Sequence, residues 1–200
     1  AIMNMRLRLL ASVVTALSVV PLAADAATRA LVVGVSGYPN LADSLKLVGP
    51  KNDSREFANT IVRLGVEAKD VTILADGVSG LADGLSAKGP GTRDAILSEL
   101  DRLAETSAPG DLVVFYFSGH GSQQPDMDGD EQGGNDEIFL PYDVAKYEDG
   151  SVKNALVDDD LNERIRKILD KGVDFFGVID ACHSATGFRA IDEDETRVRQ

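Results

Sequence analysis

Leu112-Val113-Val114-Phe115-Tyr116-Phe117-Ser118-Gly119-His120-Gly121-Ser122 is the stretch on which the fold turns. Its first six residues are apolar, β-branched or aromatic, without the polar alternation of a half-exposed strand, so they predict a strand buried on both faces. Runs of the same character stand at 30–35, 71–74 and 175–179. Between them, segments 53–64, 92–103 and 159–169 carry apolar residues three and four apart, as at Ile96, Leu100 and Leu103, which predicts helices. Asp53 and Thr92 are placed to cap two of them. Strands alternating with helices predict an α/β fold, with a mostly parallel central sheet and helices on both faces.

The 200 residues, 44% hydrophobic and 26% charged, suit one globular domain. A net charge of -13 argues against a nucleic-acid surface or attraction to anionic lipid, and favours basic peptides or metal ions as partners. Arg6 and Arg8 precede an apolar run at 9–22, which is followed by the small-x-small sequence Ala24-Asp25-Ala26. This pattern predicts a signal peptide over 1–26, with the folded domain over 27–200 exported to the periplasm or secreted, and not membrane-bound once the leader is removed. The charged end at 191–200 stops without a boundary signal, so a longer parent chain is expected.

Export makes the single cysteine informative, because a disulfide scaffold needs pairs. Its bland reading is an inert buried thiol. In an open parallel sheet, ligand and catalytic groups gather just past the carboxyl ends of strands. One such end is Ser118-Gly119-His120-Gly121-Ser122, and the other is Asp180-Ala181-Cys182-His183-Ser184-Ala185. If the two strands are neighbours, His120 and Cys182 face each other across a crevice. A thiolate is the nucleophile of a cysteine hydrolase, and His120 can be the base that generates it. The flanking glycines allow a sharp turn and close approach of a substrate carbonyl, with the amides of Gly121 and Cys182 as the expected oxyanion donors. His183, the only other histidine, adjoins the thiol in sequence and is the poorer candidate for the base.

The segments Phe115-Tyr116-Phe117-Ser118-Gly119-His120-Gly121-Ser122-Gln123 and Asp180-Ala181-Cys182-His183-Ser184-Ala185-Thr186-Gly187 closely resemble the two signature motifs of metacaspases, the caspase-fold cysteine peptidases of bacteria, plants, fungi and protists. The resemblance covers roughly 30–188. It implies a caspase-haemoglobinase-like three-layer sandwich and an endopeptidase with His120 and Cys182 as its dyad, the smaller part of the catalytic unit lying beyond Gln200. It also implies cleavage after Arg or Lys, with Asp53, Ser118 and Asp180 binding the basic side chain. Carboxylates there would pair with a guanidinium or ammonium group. Taken alone, Asp53 reads first as a helix cap, and Asp180 equally as a polar strand end.

Asp126, Asp128, Asp130 and Glu137 have the spacing of an EF-hand loop, but Glu131 stands where that loop needs glycine and a strand precedes it. Segment 122–136 reads instead as a solvated acidic loop. The resemblance offers another calcium reading. The chemistry needs no cofactor, but calcium can act as an activator, and the corresponding acids are Asp136, Asp158 and Asp159; Arg189 departs from the pattern where a further acid is expected. The competing expectation is a caspase-like module that binds partners or senses calcium without turnover.

Overall fold

The computed structural model describes residues 26–125, 135–148 and 151–183. The chain forms strand β1 (Thr28–Gly34), helix α1 (Gly49–Arg63), β2 (Val71–Ala75), β3 (Ala87–Gly89), α2 (Arg93–Thr106) and β4 (Leu112–Pro125). The short strands β5 (Asn135–Phe139), β6 (Tyr147–Glu148), β7 (Ser151–Val152) and β8 (Leu156–Val157) follow, then α3 (Asp158–Leu169) and β9 (Asp174–His183). The main sheet runs β3-β2-β1-β4-β5-β8, with β9 also paired to β4. The β1–β2, β2–β3, β1–β4 and β4–β9 pairs are parallel, and β4–β5 and β5–β8 are antiparallel.

Two apolar layers flank this sheet, as the sequence predicts. On one face Ile96, Leu100 and Leu103 of α2 and Leu161 and Ile168 of α3 pack on Leu31, Val33, Phe115 and Phe117. On the other face Ala58 and Ile61 of α1 pack on Ala30, Val32, Ile73, Val114 and Tyr116. The caspase-like three-layer arrangement follows from these two burials. Alternate residues of β1 and β4 serve alternate layers, which is why neither strand shows a polar face in its sequence.

The elements begin and end differently from the sequence expectation in ways that matter. Thr92 caps α2, its Oγ1 accepting from Ala95 N at 3.3 Å. Asp53 caps nothing, because α1 starts at Gly49, with Pro50 in its first turn where a missing N–H costs no hydrogen bond. Strand β4 does not stop at Phe117. It continues through Gln124, whose side chain is buried with those of Ser122 and Asp136, so this end of the predicted solvated loop is instead part of the sheet. Residues 126–134, which carry most of the EF-hand-like spacing, lie outside the described residues.

Candidate active site

His120 and Cys182 both lie within strands, not in loops past their ends. In the parallel β4–β9 pair, Ser118 registers with Asp180, Gly119 with Ala181, His120 with Cys182, and Gly121 with His183. The continuation of regular pairing keeps both segments extended, so the glycines beside His120 serve no turn. Gly119 is needed for room, since a Cβ there would stand 3.0 Å from Tyr38 Oη and 3.2 Å from the Phe117 ring. Gly121, buried, is also opposite Phe139 of β5.

The loop between β1 and α1 holds His120 from two directions. The His120 backbone N–H donates to Tyr38 Oη at 2.9 Å, and the Tyr38 ring lies 5.0 Å from the imidazole, centroid to centroid. His120 Nε2 is 2.8 Å from Leu45 O. A carbonyl can only accept, so Nε2 carries a proton and donates it. The loop is itself anchored: Asp76 at the end of β2 accepts from Ser36 N at 2.9 Å and Gly37 N at 2.7 Å, and Leu47 N donates to Ser36 O at 2.8 Å. Tyr38 is wholly buried, and burial, more than the nearby Asp76 charge, pushes its phenol above the ordinary range, so it remains a neutral donor and acceptor.

A second group lies on the α1 side of the same strand pair. Tyr116 Oη donates to Asp180 Oδ2 at 3.4 Å, and Ser118 Oγ is 3.5 Å from the same oxygen. The Tyr116 ring stacks on Phe57 of α1 at 4.3 Å. Burial is the first cause that pushes the Tyr116 phenol up to about 12; a hydrogen bond with Ser118 opposes it, while the charges of Asp180 and Asp53 add to it. Asp53, Ser118 and Asp180 therefore belong to one electrostatic neighbourhood around Tyr116. Tyr116, Tyr38 and Leu45 were not singled out from the sequence. For Tyr116 the signal was present: it stands two residues before Ser118 in a strand and shares its face.

The acids of the calcium expectation give a mixed picture. Asp136 is buried, and its Oδ1 has no hydrogen-bond partner among the described residues. Gln124 Nε2 lies 3.4 Å from Asp136 Oδ2. Burial first, then the charges of Asp159 and Asp136, raise the Asp158 carboxyl above its ordinary value. Yet among the described residues no group of three or more His, Cys, Asp or Glu side chains is arranged to hold a metal ion. These acids supply the negative charge of a cation site without an assembled donor set, and Arg189 lies outside the described residues. Asp158, Asp159 and Asp160 also form the first turn of α3, where the helix dipole favours negative charge without any ion.

Residues 28–190 match the family described as metacaspase, peptidase C14 domain. The chain belongs to the metacaspase family. Relatives include Metacaspase-1 of Cryptococcus neoformans, 31% identical over 159 residues covering 79% of this chain and 32% of the relative. Metacaspase-1 of Pyricularia oryzae is 31% identical over 79% of this chain and 36% of its own length. Metacaspase-1B of Aspergillus clavatus is 32% identical over 79% of this chain and 35% of its own length. The metacaspase chain thus spans about a third of the length of these curated relatives. A crystal structure of a Geobacter sulfurreducens protein shares the fold with a TM-score of 0.57 and 25% identity, covering 84% of this chain and 55% of that one.

Proposed function

We infer that this metacaspase is a cysteine endopeptidase that cleaves after Arg or Lys, with Cys182 as nucleophile and His120 as base. The observation that carries the reading is the register of β4 and β9, which sets His120 opposite Cys182. Register partners share one face of a sheet. Nε2 donates to Leu45 O, and in this reading Nδ1 is the ring nitrogen that takes part in proton transfer. In this reaction the thiol proton passes to His120 Nδ1 and the sulfur attacks the peptide carbonyl carbon. The resulting oxyanion is received by main-chain N–H groups, for which Gly121 and Cys182 remain the candidates. Collapse expels the amine, which takes the proton from His120; water then hydrolyses the thioester with His120 again as base. No metal or organic cofactor takes part in these steps.

Asp53, Ser118 and Asp180 form the pocket for the basic side chain in this reading, supported by their shared electrostatic environment around Tyr116. The test is hydrolysis of peptides ending in Arg, Lys, Asn or a neutral residue by the full chain and by Cys182→Ala. Hydrolysis by the wild type that persists in Cys182→Ala removes the mechanism. A preference for Asn over Arg removes the pocket assignment.

Calcium, if bound, would be held by Asp136, Asp158 and Asp159 and would neutralise their mutual repulsion. Asp136 Oδ1, which has no hydrogen-bond partner among the described residues, and the raised Asp158 carboxyl support this. Stabilisation by calcium that survives Asp136→Asn would count against that site. Export, with removal of 1–26, is supported by the position of Ala27, whose N–H donates to Asp111 Oδ1 at 2.8 Å. Cleavage before Ala27 would leave β1 whole and place the new ammonium group beside a carboxylate. The mass of the protein recovered outside the cytoplasm tests this, and a product still carrying 1–26 rejects it.

A further inference from the structure

A phenylalanine at position 116 would fill the second apolar layer as well as Tyr116 does. The ring is buried against Phe57, and Val114 and Val178 belong to the same layer. The hydroxyl is therefore the feature to explain, because a buried O–H costs free energy unless it finds a partner. Its partner is Asp180 Oδ2 at 3.4 Å, and Ser118 stands within 3.5 Å of the same oxygen. Asp180 itself is exposed, while Tyr116 and Ser118 are buried beneath it. An exposed carboxylate on a strand is free to rotate unless something fixes it. Here two buried hydroxyls approach one of its oxygens and leave Oδ1 as the second acceptor.

We propose that Tyr116 is a specificity-determining residue, whose neutral phenol holds the Asp180 carboxylate in the orientation that receives a substrate guanidinium. The inference rests on the basic-residue cleavage proposed above and names the residue that tunes it. Guanidinium recognition is planar and two-pronged, so it suffers when a carboxylate can rotate; an ammonium group acts as a point charge and is more tolerant. Tyr116 therefore favours Arg over Lys, and charged over uncharged side chains of the same shape. The elevated phenol titration, up to about 12, keeps the donor proton in place throughout the working range of a cysteine peptidase.

The experiment compares wild-type full chain with Tyr116→Phe, Asp180→Asn and the double variant, on matched peptides ending in Arg, Lys or citrulline. Citrulline keeps the shape of Arg and removes its charge. Tyr116→Phe is expected to lower kcat/KM about tenfold for Arg, as for loss of a hydrogen bond to a charged group, less for Lys, and not at all for citrulline. In the Asp180→Asn background it should have no further effect on Arg, since the phenol acts through that carboxylate. Calorimetric titration with benzamidine makes the same comparison without turnover, and the thermal midpoint shows that each variant is folded. An equal fall for Arg and citrulline, or additive effects in the double variant, overturns the role of Tyr116 while leaving the pocket intact. A wild type that treats Arg and citrulline alike, and binds benzamidine no better than Asp180→Asn does, overturns the pocket and this inference together.

Discussion

Tyr38→Phe removes one oxygen from beneath the imidazole and nothing else. The His120 N–H loses its acceptor at 2.9 Å, in a place where Tyr38 is wholly buried and water cannot replace it. An unpaired buried donor costs about 1–3 kcal/mol. For a domain of this size that lowers the thermal midpoint by roughly 2–4 °C per kcal/mol. The effect on rate comes from geometry. If the freed amide shifts β4 to find another partner, the imidazole moves with it, and a misplacement of about 1 Å costs on the order of a hundredfold in rate. A fall in kcat of about ten- to a hundredfold is expected, with a smaller change in KM, because Asp53 and Asp180 lie on other elements than β4. Steady-state kinetics on an Arg peptide, beside thermal unfolding of the same preparation, separates the two effects. A midpoint that drops while kcat stays at the wild-type value would reduce Tyr38 to packing, and a change in KM alone would place its influence on the pocket.

Gly34→Ala should be destabilising by about 1–3 kcal/mol, the range for overpacking, because the added Cβ would lie 2.5 Å from Ser54 Oγ and 2.7 Å from Pro50 O. The strain falls on α1, which carries Asp53, so preference for Arg over citrulline should fall with the thermal midpoint; a variant as stable and selective as wild type refutes this packing. Asp111 accepts from Ala27 N and Ala108 N, both at 2.8 Å, and from Arg29, so Asp111→Ala should cost about 2–3 kcal/mol in chemical denaturation. Burial alone would raise the Asp111 carboxyl, but those three donors outweigh it and hold it below its ordinary value. Its stabilisation is thus complete above about pH 4 and is lost as pH falls through the depressed folded value, so wild type and Asp111→Ala should converge in acid. Thr92→Ala removes the cap of α2 and should cost about 1 kcal/mol by thermal unfolding; no change would mean the long 3.3 Å bond contributes nothing.

The alternation of apolar runs and helical spacing was sufficient for the layers, because burial of 30–35 and 112–117 follows side-chain type; 175–179 departs from that expectation, with Phe176 and Ile179 exposed and Phe175 and Val178 only partly buried. Strand ends were harder. Ser118, Gly119, Gly121 and Ser122 carry the small polar character of a turn, and only pairing with β9 and β5 keeps them extended. The start of α1 was misplaced for a similar reason: Gly49 and Pro50 usually interrupt helices, yet Pro50 sits in the first turn. The histidine and cysteine could be matched in sequence because their chemistry is scarce in this chain. Their supporters could not, since Leu45 acts through its backbone carbonyl, which no side-chain pattern reveals, and Tyr38 looks like one more apolar residue.

One strand pair carries both proposed reacting groups and two of the three proposed pocket residues, Ser118 and Asp180, and the reason is the two-residue period of β structure. Val113, Phe115 and Phe117 of β4, with Phe175 and Ala181 of β9, serve the α2–α3 layer. Val114, Tyr116 and Val178 serve the α1 layer. Continuing the second series gives Ser118 and His120 on β4, and Asp180 and Cys182 on β9, all at matched positions of a single parallel register. The apolar residues of β4, with the partly buried Phe175 and Val178 of β9, thus fix the face that Ser118 and Asp180 occupy further along. A register slip of one residue would turn Asp180 to the opposite layer and at the same time take Phe175 away from the layer it packs against. The hydrophobic series that holds β9 in place therefore also sets the pairing of His120 with Cys182, and a two-residue slip, which preserves faces, is opposed by the Ser118–Asp180 and Tyr116–Asp180 contacts.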